Sequence, residues 1–582
     1  MIILTRLPSY LVLTLGITSS GFGQGTGLES FPLRDQELTD RGRELASIYC
    51  RSCHDYRRTH IGPKLGGITR YRSREWLMDF VKDPAGLAAS GDETAIDLIA
   101  RYKVPMPGFA TLLSDDDLEA IFSSIASYSD RRNLTFDPSE DNPRVQEMLA
   151  VPTEPVPPAT HALVLEDVVT MPVIPNPRDI ARIATLRTVP GDDSEDLYIS
   201  NQDGSIYRIR EGESKVVLNI RNHFPDFFNY PGLGSGLGSF DFHPNFDENG
   251  LVYVTHTETY KKQASAYLPD SPLDEAVQAV ISEVRVKAPG EVDFAGASWR
   301  EILRITLPTT VHGMQDIAFA PFAQPGDADY GLLFIGIGDG GSTAYGYPHL
   351  THRLDAPLGS ILRIDPRGTN GRNGQYGIPA DNPFVDNKTP DIWPEIYAWG
   401  FRNPHRLTWD PFVKNRFLAI DVGSNLFEEI NVIEAGRDYG WNVREGNLEF
   451  DPVAQNPTEI IPWNVDEPDY VEPLAVYSHL EGRAICGGPI YRGSIEWLRG
   501  KFIFGDIVTG NLYYLDPDHP GKPQPIFRLS VTDANGRDGV LGTWIKGRVD
   551  LRLWEDAAGE LYLLTKTDGG VRRVVDVKKI GN

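Results

Sequence analysis

The feature that most constrains the fold is a series of short strand-like segments between residues 179 and 577. The segments are rich in aromatic and β-branched residues and end in Asp-Gly or Gly-rich turns, as in residues 197–209 and 560–571, which is typical of β-hairpins. Their recurrence at irregular intervals predicts an all-β six-bladed β-propeller with long loops between the blades. A pair of β-sandwiches would also be all-β, but the likeness of the first and last hairpins favours a closed ring.

Cys50, Cys53 and His54 form a Cys-x-x-Cys-His motif, which is typical of c-type haem attachment. In that interpretation the two thiols add to the haem vinyl groups, and His54 is the proximal ligand of the iron. The Cys-x-x-Cys spacing also occurs in redox pairs and zinc sites, but the adjacent histidine and the lack of a second Cys pair argue against zinc. The third cysteine, Cys486, is expected to be a buried free thiol.

Met106 is the candidate for the sixth iron ligand. It lies between two prolines in residues 104–109 (VPMPGF), which predicts an irregular loop that presents the side chain. A thioether ligand raises the potential of a haem, which suits electron transfer. Met78 lies instead in an apolar helical run and is expected to fill the core.

Residues 41–130 resemble a class I cytochrome c. The resemblance rests on a helix leading into Cys50, on residues 61–67 (IGPKLGG), on the loop of Met106 and on a closing helix with an acidic first turn at residues 115–117, where negative charge is favourable. It implies an N-terminal all-α cytochrome c domain with one covalent haem c.

The segments outside these two domains carry their own signals. Residues 1–23 combine Arg6 with an apolar run over residues 7–17 and small residues at the cleavage positions, which predicts a cleaved signal peptide. A retained membrane anchor is the alternative, although the run is short for a bilayer. Residues 24–40 are expected to be a linker, and the proline-rich residues 131–178 predict a second, extended linker.

Charge and cysteine content limit the class of protein. The 582 residues carry a formal net charge of -25 and three cysteines, so neither a nucleic-acid footprint nor a disulfide framework is expected. With a signal peptide and no later transmembrane stretch, the sequence predicts a periplasmic or secreted protein with no integral membrane span after cleavage.

Ordered motifs between Arg182 and Val575 are similar to those of the soluble glucose and sorbosone dehydrogenase family. The motifs are residues 242–246 (FHPNF), 335–341 (IGIGDGG), 358–365 (LGSILRID), 399–404 (WGFRNP), 421–425 (DVGSN), 428–431 (EEIN) and 438–442 (DYGWN). The resemblance implies a six-bladed propeller that holds pyrroloquinoline quinone (PQQ) and calcium.

The resemblance also implies roles for individual residues. His312, shortly before the apolar strand that leads to the Gly-Asp-Gly turn, matches the catalytic base that takes the hydroxyl proton while hydride leaves for PQQ. Arg402 and Asn403 match the Arg-Asn pair that faces the quinone oxygens, and Arg402 would stabilise the charge that appears there on reduction.

Gly423 and Ser424 correspond to two backbone carbonyls that bind calcium in the family, and carbonyl oxygens suit this cation. By composition, Asp421, Glu428 and Glu429 are also candidate ligands. Solvated acidic loops are commoner, however, and the family uses carbonyls, so we do not assign calcium to these carboxylates.

Three positions depart from the family pattern. Ser235 stands where the family has a Gln that contacts the quinone, and Val508 stands near the Lys that pairs with a PQQ carboxylate. Arg548 and Arg552 only loosely match an Arg pair near the last blade. These differences weaken the predicted grip on PQQ more than they weaken the predicted fold.

Together these features predict a quinohaemoprotein oxidoreductase that oxidises a sugar or other alcohol or hemiacetal. Electrons would pass from PQQ to the haem and then to another cytochrome or a similar acceptor. The main alternative is a non-catalytic ligand- or partner-binding propeller, because residues 435–446 also resemble hedgehog-interacting-protein-like propellers. A haem-based redox sensor whose propeller docks a partner is a third interpretation.

Overall fold

The computed structural model describes residues 31–137 and 155–580 with internal gaps. The gaps are 32–34, 36–37, 40, 43–44, 47–49, 51–53, 55, 57–61, 103–105, 107, 111–112, 132, 174–180, 193, 230–233, 262, 270–275, 346, 388, 390, 425, 452–455, 461–469 and 546. The predicted signal peptide at 1–23 and Cys53 lie outside the described residues. The chain divides into two compact units, Met1–Leu45 with Tyr56–Pro143 and Ala46–Asp55 with Arg144–Asn582.

The secondary structure described in the first unit is helical. Its helices are α1 (Ile68–Tyr71), α2 (Arg74–Lys82), α3 (Pro84–Ala89), α4 (Glu93–Arg101) and α5 (Asp115–Arg131). Ser73, Asp83 and Asp92 each accept a hydrogen bond from the backbone N–H three residues later, which stabilises the starts of α2, α3 and α4. The acidic first turn of α5 begins at Asp115, as the sequence predicts, and Met78 is buried as expected.

The second unit is built almost entirely from strands. They are β1 (Pro158–Thr170), β2 (Ile183–Arg187), β3 (Leu197–Asn201), β4 (Ser205–Arg210), β5 (Glu213–Asn219), β6 (Ser239–Phe242), β7 (Leu251–Thr259), β8 (Val277–Arg285), β9 (Ser298–Leu307), β10 (Met314–Phe319), β11 (Leu333–Ile337), β12 (Ser360–Ile364), β13 (Ile396–Trp399), β14 (Pro404–Trp409), β15 (Phe417–Asp421), β16 (Phe427–Val432), β17 (Arg444–Glu445), β18 (Leu448–Asp451), β19 (Asn456–Ile460), β20 (Ala475–Ser478), β21 (Ile485–Ile490), β22 (Phe502–Asp506), β23 (Leu512–Leu515), β24 (Phe527–Asp533), β25 (Leu551–Glu555), β26 (Leu561–Thr565) and β27 (Gly570–Lys579). Two short helices, α6 (Phe246–Asn249) and α7 (Leu541–Trp544), and the 3-10 turns Ile220–Asn222, Pro348–Leu350 and Glu496–Leu498 lie between strands.

The strands form an all-β propeller. Four sheets have four strands each, β2–β5, β6–β9, β10–β13 and β14–β15–β16–β20, and an eight-stranded sheet has the order β21-β22-β23-β24-β1-β27-β26-β25. The first strands β2, β6, β10, β14, β21 and β25 contact one another in that order, and β25 contacts β2. The ring of first strands is therefore closed. The hairpins predicted over 197–209 and 560–571 are confirmed by the pairing of β3 with β4 and of β26 with β27.

Strand β1 corrects the sequence-based domain limits. It pairs in parallel with β24 and antiparallel with β27, so residues 158–170 belong to the propeller and not to the linker predicted over 131–178. Pro157 and Pro158 lie just before and at the first residue of the strand, where they cost no ladder hydrogen bond. The prediction of a linker is wrong for these residues.

Pairing register places four loop-strand junctions at one edge of two neighbouring sheets. Met314 at the start of β10 is opposite Ile337 at the end of β11, and Pro404 at the start of β14 is opposite Asp421 at the end of β15. Apolar side chains between the sheets, such as fully buried Phe334, fix these strands against each other. The segments around residues 312, 338, 402 and 421 are thereby brought together.

Among the described residues, no helix has the length and apolar character needed to cross a membrane.

Candidate active site

His312 is held in one orientation by a buried carboxylate. Its ring Nδ1 lies 2.7 Å from Oδ1 of Asp339, whose side chain is fully buried, while 17% of the His312 side chain remains exposed. The backbone of His312 adopts a left-handed conformation with φ of 52°, which is uncommon for a residue with a Cβ. The N–H of Gly340 donates to the His312 carbonyl at 3.1 Å. The exposed part of the ring is thus presented by a rigid turn.

The electrostatic setting favours a neutral imidazole beside an ionised carboxylate. Burial lowers the pKa of His312 and the charge of Arg402 lowers it further, while Asp339 acts in the opposite direction. For Asp339, burial acts to raise the pKa, but His312 and Arg402 outweigh it and the pKa lies below its usual value. With Nδ1 facing the carboxylate, the other ring nitrogen is the one available to accept a proton.

Asp421 fixes the turn that carries Arg402 and Asn403. Its Oδ2 accepts the N–H of Arg402 at 2.9 Å, and its Oδ1 accepts the N–H of Asn403 at 2.5 Å. The Arg402 carbonyl in turn accepts the N–H of Asp339 at 2.7 Å. This bond joins the turn of Arg402 to the backbone of the residue whose carboxylate holds His312.

Gly338 permits the close approach of the two turns. A Cβ at this position would lie 2.7 Å from Cβ of His312 and 2.8 Å from Oδ1 of Asn403, both closer than real contacts of that kind. The Oδ1 of Asn403 is buried and has no hydrogen-bond partner among the described residues. Because a buried amide oxygen is costly to leave unpaired, this atom points to a missing donor in the site.

The guanidinium of Arg402 lies against the loop that contains the predicted calcium residues. Its Nη1 donates to the carbonyls of Val422 and Gly423 at 2.9 and 2.7 Å. A cation on the Gly423 oxygen would therefore meet a guanidinium, which disfavours calcium at that atom. The arrangement does not fit the calcium site predicted at Gly423 and Ser424, and no chemical step is derived through calcium.

The acidic residues of this region bind backbone amides. Glu428 accepts the N–H of Gly423 at 3.2 Å, and Glu445 accepts the N–H of Ser424 at 2.8 Å. Glu429 similarly accepts the N–H of Gly446 at 2.5 Å. No group of three or more His, Cys, Asp or Glu side chains suited to a metal ion occurs in the described part of the chain. These carboxylates therefore shape the loop.

The positions that depart from the family pattern lie in different surroundings. Ser235 is fully buried, and its carbonyl lies 3.5 Å from Nη2 of Arg182. The N–H of Val508 donates to Oδ1 of Asp506 at 3.0 Å. Arg548 forms an ion pair with Asp550, whereas Arg552 is 9% exposed and lines a central cavity.

Part of the predicted haem motif is described. The N–H of Cys50 donates to the Ala46 carbonyl and the N–H of His54 to the Cys50 carbonyl, each at 2.9 Å, and both bonds have the four-residue spacing of helical hydrogen bonds. His54 is buried and Met106 is half-buried. Attachment of haem to this segment stays a prediction.

Asp339 and Asp421 are the site residues that sequence reasoning did not assign. Asp339 is the central residue of the Gly-Asp-Gly turn, and Asp421 starts the DVGSN motif. An acidic residue at or just past the end of an apolar strand was the available signal in both cases.

The sequence matches the model of the Glucose / Sorbosone dehydrogenase family over residues 185–570. The chain belongs to this family. Curated relatives include the HIPL1 protein of Arabidopsis thaliana, 27% identical over 427 residues, with 65% of this chain and 57% of the relative covered. The Hedgehog-interacting protein of Homo sapiens is 25% identical over 405 residues, with 67% of this chain and 50% of the relative covered.

A relative with an enzyme name also matches. Quinoprotein glucose dehydrogenase B of Acinetobacter calcoaceticus is 24% identical over 268 residues, which cover 43% of this chain and 48% of that protein. The chain thus spans about half of the length of these curated relatives, at 57%, 50% and 48%. The family assignment applies to the propeller and leaves the activity of the whole protein to be proposed.

Proposed function

We propose that the chain is a PQQ-dependent dehydrogenase of sugars or other alcohols and hemiacetals, with a covalent haem c as internal electron acceptor. The observation that carries the proposal is the His312–Asp339 pair beside Arg402 and Asn403. Its support from the comparisons is the family match and the similarity to a quinoprotein glucose dehydrogenase.

The side chains brought together at Gly338 carry groups that a quinone can bind. The unpaired Oδ1 of Asn403 supplies an acceptor and the guanidinium of Arg402 supplies a cation, while Gly338 lets the turns of His312 and Asn403 approach each other. His312, Arg402 and Asn403 would hold PQQ there. When bound, PQQ supplies a two-electron hydride acceptor.

His312 acts in this proposal as the general base. Asp339 keeps the Nδ1 proton directed at itself, so the Nε2 lone pair accepts the hydroxyl proton of the substrate. The lowered pKa keeps the ring neutral at the pH of the reaction. The imidazolium formed after proton transfer is stabilised by the adjacent Asp339 carboxylate.

Arg402 supplies fixed positive charge. The guanidinium is held in place by the carbonyls of Val422 and Gly423 and by the ring of Trp441. The centroid of that ring lies 5.7 Å from Cζ of Arg402. A cation positioned in advance stabilises developing negative charge without reorganising during the reaction. Asp421 is a positioning residue, because it binds the backbone of Arg402 and Asn403.

The remaining parts of the proposal concern the fold and the location of the chain. The eight-stranded sheet counts as two blades divided between β24 and β1, which gives six blades with the four separate sheets. Haem c is attached at Cys50 and Cys53, with His54 and Met106 as iron ligands. The protein is periplasmic or secreted after signal cleavage, and a further cytochrome or similar carrier takes the electrons.

A non-catalytic partner-binding propeller is the second candidate. The similarity to Hedgehog-interacting protein favours it, as do the departures at Ser235 and Val508 from residues that grip PQQ in the family. In that case His312 and Arg402 would be structural.

The haem spectrum of the holoprotein tests both functions. Oxidised protein incubated with PQQ and Ca²⁺ is mixed anaerobically with a panel of aldoses and alcohols, and haem absorption is followed. We expect the haem to be reduced only when both PQQ and substrate are present. His312→Ala should abolish this reduction, whereas His519→Ala, a control at an exposed residue, should retain it. A haem that dithionite reduces, but that stays oxidised with every compound, contradicts the dehydrogenase and favours the binding propeller.

A further inference from the structure

A cavity lies at the centre of the ring of first strands. It is lined from β2, β10, β14, β21 and β25, by residues that include Thr185, Asp316, His405, Cys486 and Arg552. Each of these five is the second or third residue of its strand, and His405 follows Asn403 by two residues. The function proposed above uses none of these side chains.

The wall of the cavity is rich in positive charge. Arg406 and Arg552 both line it, and Lys566 donates to the cavity-lining Gln202 at 3.0 Å while only 3% exposed. Arg552 donates to the carbonyl of Leu551 at 2.7 Å. Neither Arg552 nor Lys566 forms an ion pair with any carboxylate in the described residues.

The donors of this wall are incompletely paired. Nε and Nη1 of Arg406 and Nδ1 of His405 are buried and have no hydrogen-bond partner among the residues described. The carboxylate of Asp316 is 4.0 Å from Nη1 of Arg406. It already accepts hydrogen bonds from the hydroxyl of Ser239 at 3.1 Å and from the N–H of Leu407 at 3.0 Å.

The lowered pKa values of these basic side chains agree with a missing negative charge among them. Burial lowers the pKa of Arg406 to about 9, and burial together with the charge of Arg552 lowers the pKa of Lys566 well below its usual value. Burial and the charges of Arg552 and Lys566 likewise lower the pKa of His405. A buried charge without a partner is strongly destabilising, and a paired one much less so.

We propose that the axial cavity is an anion-binding site, in which His405, Arg406 and Arg552, which line it, take a carboxylate or a small oxyanion. The convergence of unpaired N–H donors with buried cations inside one cavity carries this inference. It does not depend on dehydrogenase activity. The anionic group has two possible sources, a carboxylate of the quinone proposed above or a free small anion.

Thermal unfolding of the full chain, prepared without PQQ, tests the site with formate as the probe. The formate concentration is raised at constant ionic strength, with glutamate as the balancing salt. Glutamate is chosen because its carboxylate belongs to a larger charged molecule. We expect the Tm of the propeller to rise with formate and to saturate, since a ligand that binds only the folded state stabilises it.

Variants assign the effect to the cavity. Arg552→Met is expected to have a higher Tm than wild type in glutamate alone, because it removes an unpaired buried charge, and to lose the response to formate. The surface control Arg353→Met, whose guanidinium pairs with Asp355, keeps the response. His405→Gln is the second variant if Arg552→Met does not fold, and we expect it to weaken the response.

Addition of PQQ separates the two sources. Loss of the formate response with PQQ bound assigns the site to a carboxylate of the quinone, and an unchanged response assigns it to a free anion. A wild-type Tm that does not respond to formate, or an Arg552→Met variant that responds as wild type does, overturns the proposal. Either result leaves the test of the dehydrogenase by haem reduction unaffected.

Discussion

Asp339→Asn is the substitution that most directly tests how the site works. It keeps the size of the side chain and a hydrogen-bonding group near His312, but it removes the negative charge whose Oδ1 lies 2.7 Å from the ring. Asp339 is fully buried, so solvent screens this charge little.

The expected size of the effect follows from the hydrogen bond. A hydrogen bond to a charged group contributes about 1.5–3 kcal/mol, which corresponds to about one to two pKa units for His312. Because Asp339 raises the pKa of His312 against the larger effect of burial, its loss lowers that pKa further. We expect the acid limb of kcat/KM to move to lower pH, and the plateau to fall about 10- to 100-fold as the base weakens and its tautomer is no longer fixed.

The assay is the pH profile of substrate-driven haem reduction with saturating PQQ. Asp355→Asn, which removes a carboxylate from a surface pair with Arg353, is the control and should leave the profile unchanged. An acid limb of Asp339→Asn that stays in place or moves to higher pH would refute the reasoning, because the carboxylate would then not be acting on the proton affinity of His312.

Three further predictions concern stability and the haem. Leu163→Ala in β1 removes a fully buried side chain and should lower the free energy of unfolding, measured by urea titration, by about 2–5 kcal/mol. The control Val173→Ala, at a half-exposed residue, should change it by less than about 0.5 kcal/mol. Equal effects would mean that β1 is not part of the cooperative fold. Burial lowers the pKa of His243 from 6.5 to about 4, so the unfolded state binds the proton first as the pH drops. The free energy of unfolding should therefore fall between pH 6.5 and pH 4. This fall should be smaller in His243→Gln than in the control His519→Gln. Met106→Leu should lower the haem potential in a redox titration, because it removes the thioether ligand; Met78→Leu should not, and equal potentials in both variants would count against Met106 as the ligand.

Local patterns predicted the propeller well, because hairpins are encoded within short stretches of sequence. The turns at Gly204 and Gly569, with φ of 103° and 70°, stand where the Asp-Gly pairs indicate them. The closing strand was missed for the opposite reason. Residues 158–170 follow a proline-rich segment, and their partners in β24 and β27 lie hundreds of residues further along the chain.

The sequence predicted only those site residues whose own side-chain chemistry indicates a role. A histidine before an apolar strand and an Arg-Asn pair could be recognised in the sequence. The roles of Asp339 and Asp421 depend on contacts with His312 and with residues 402–403, which no sequence spacing gives. The contact between Arg402 and the Gly423 carbonyl likewise depends on where two loops meet in space.

The position of β1 has a consequence for how the propeller is made. On the ribosome this strand emerges long before β24 and β27, about four hundred residues ahead of the last of them. Until then its backbone groups are without the partners they have in the finished sheet, and a free strand edge is a site of aggregation. If the proposed signal peptide directs the chain across a membrane before it folds, both sides of the closure reach the same compartment unfolded and the last contact of the ring forms there.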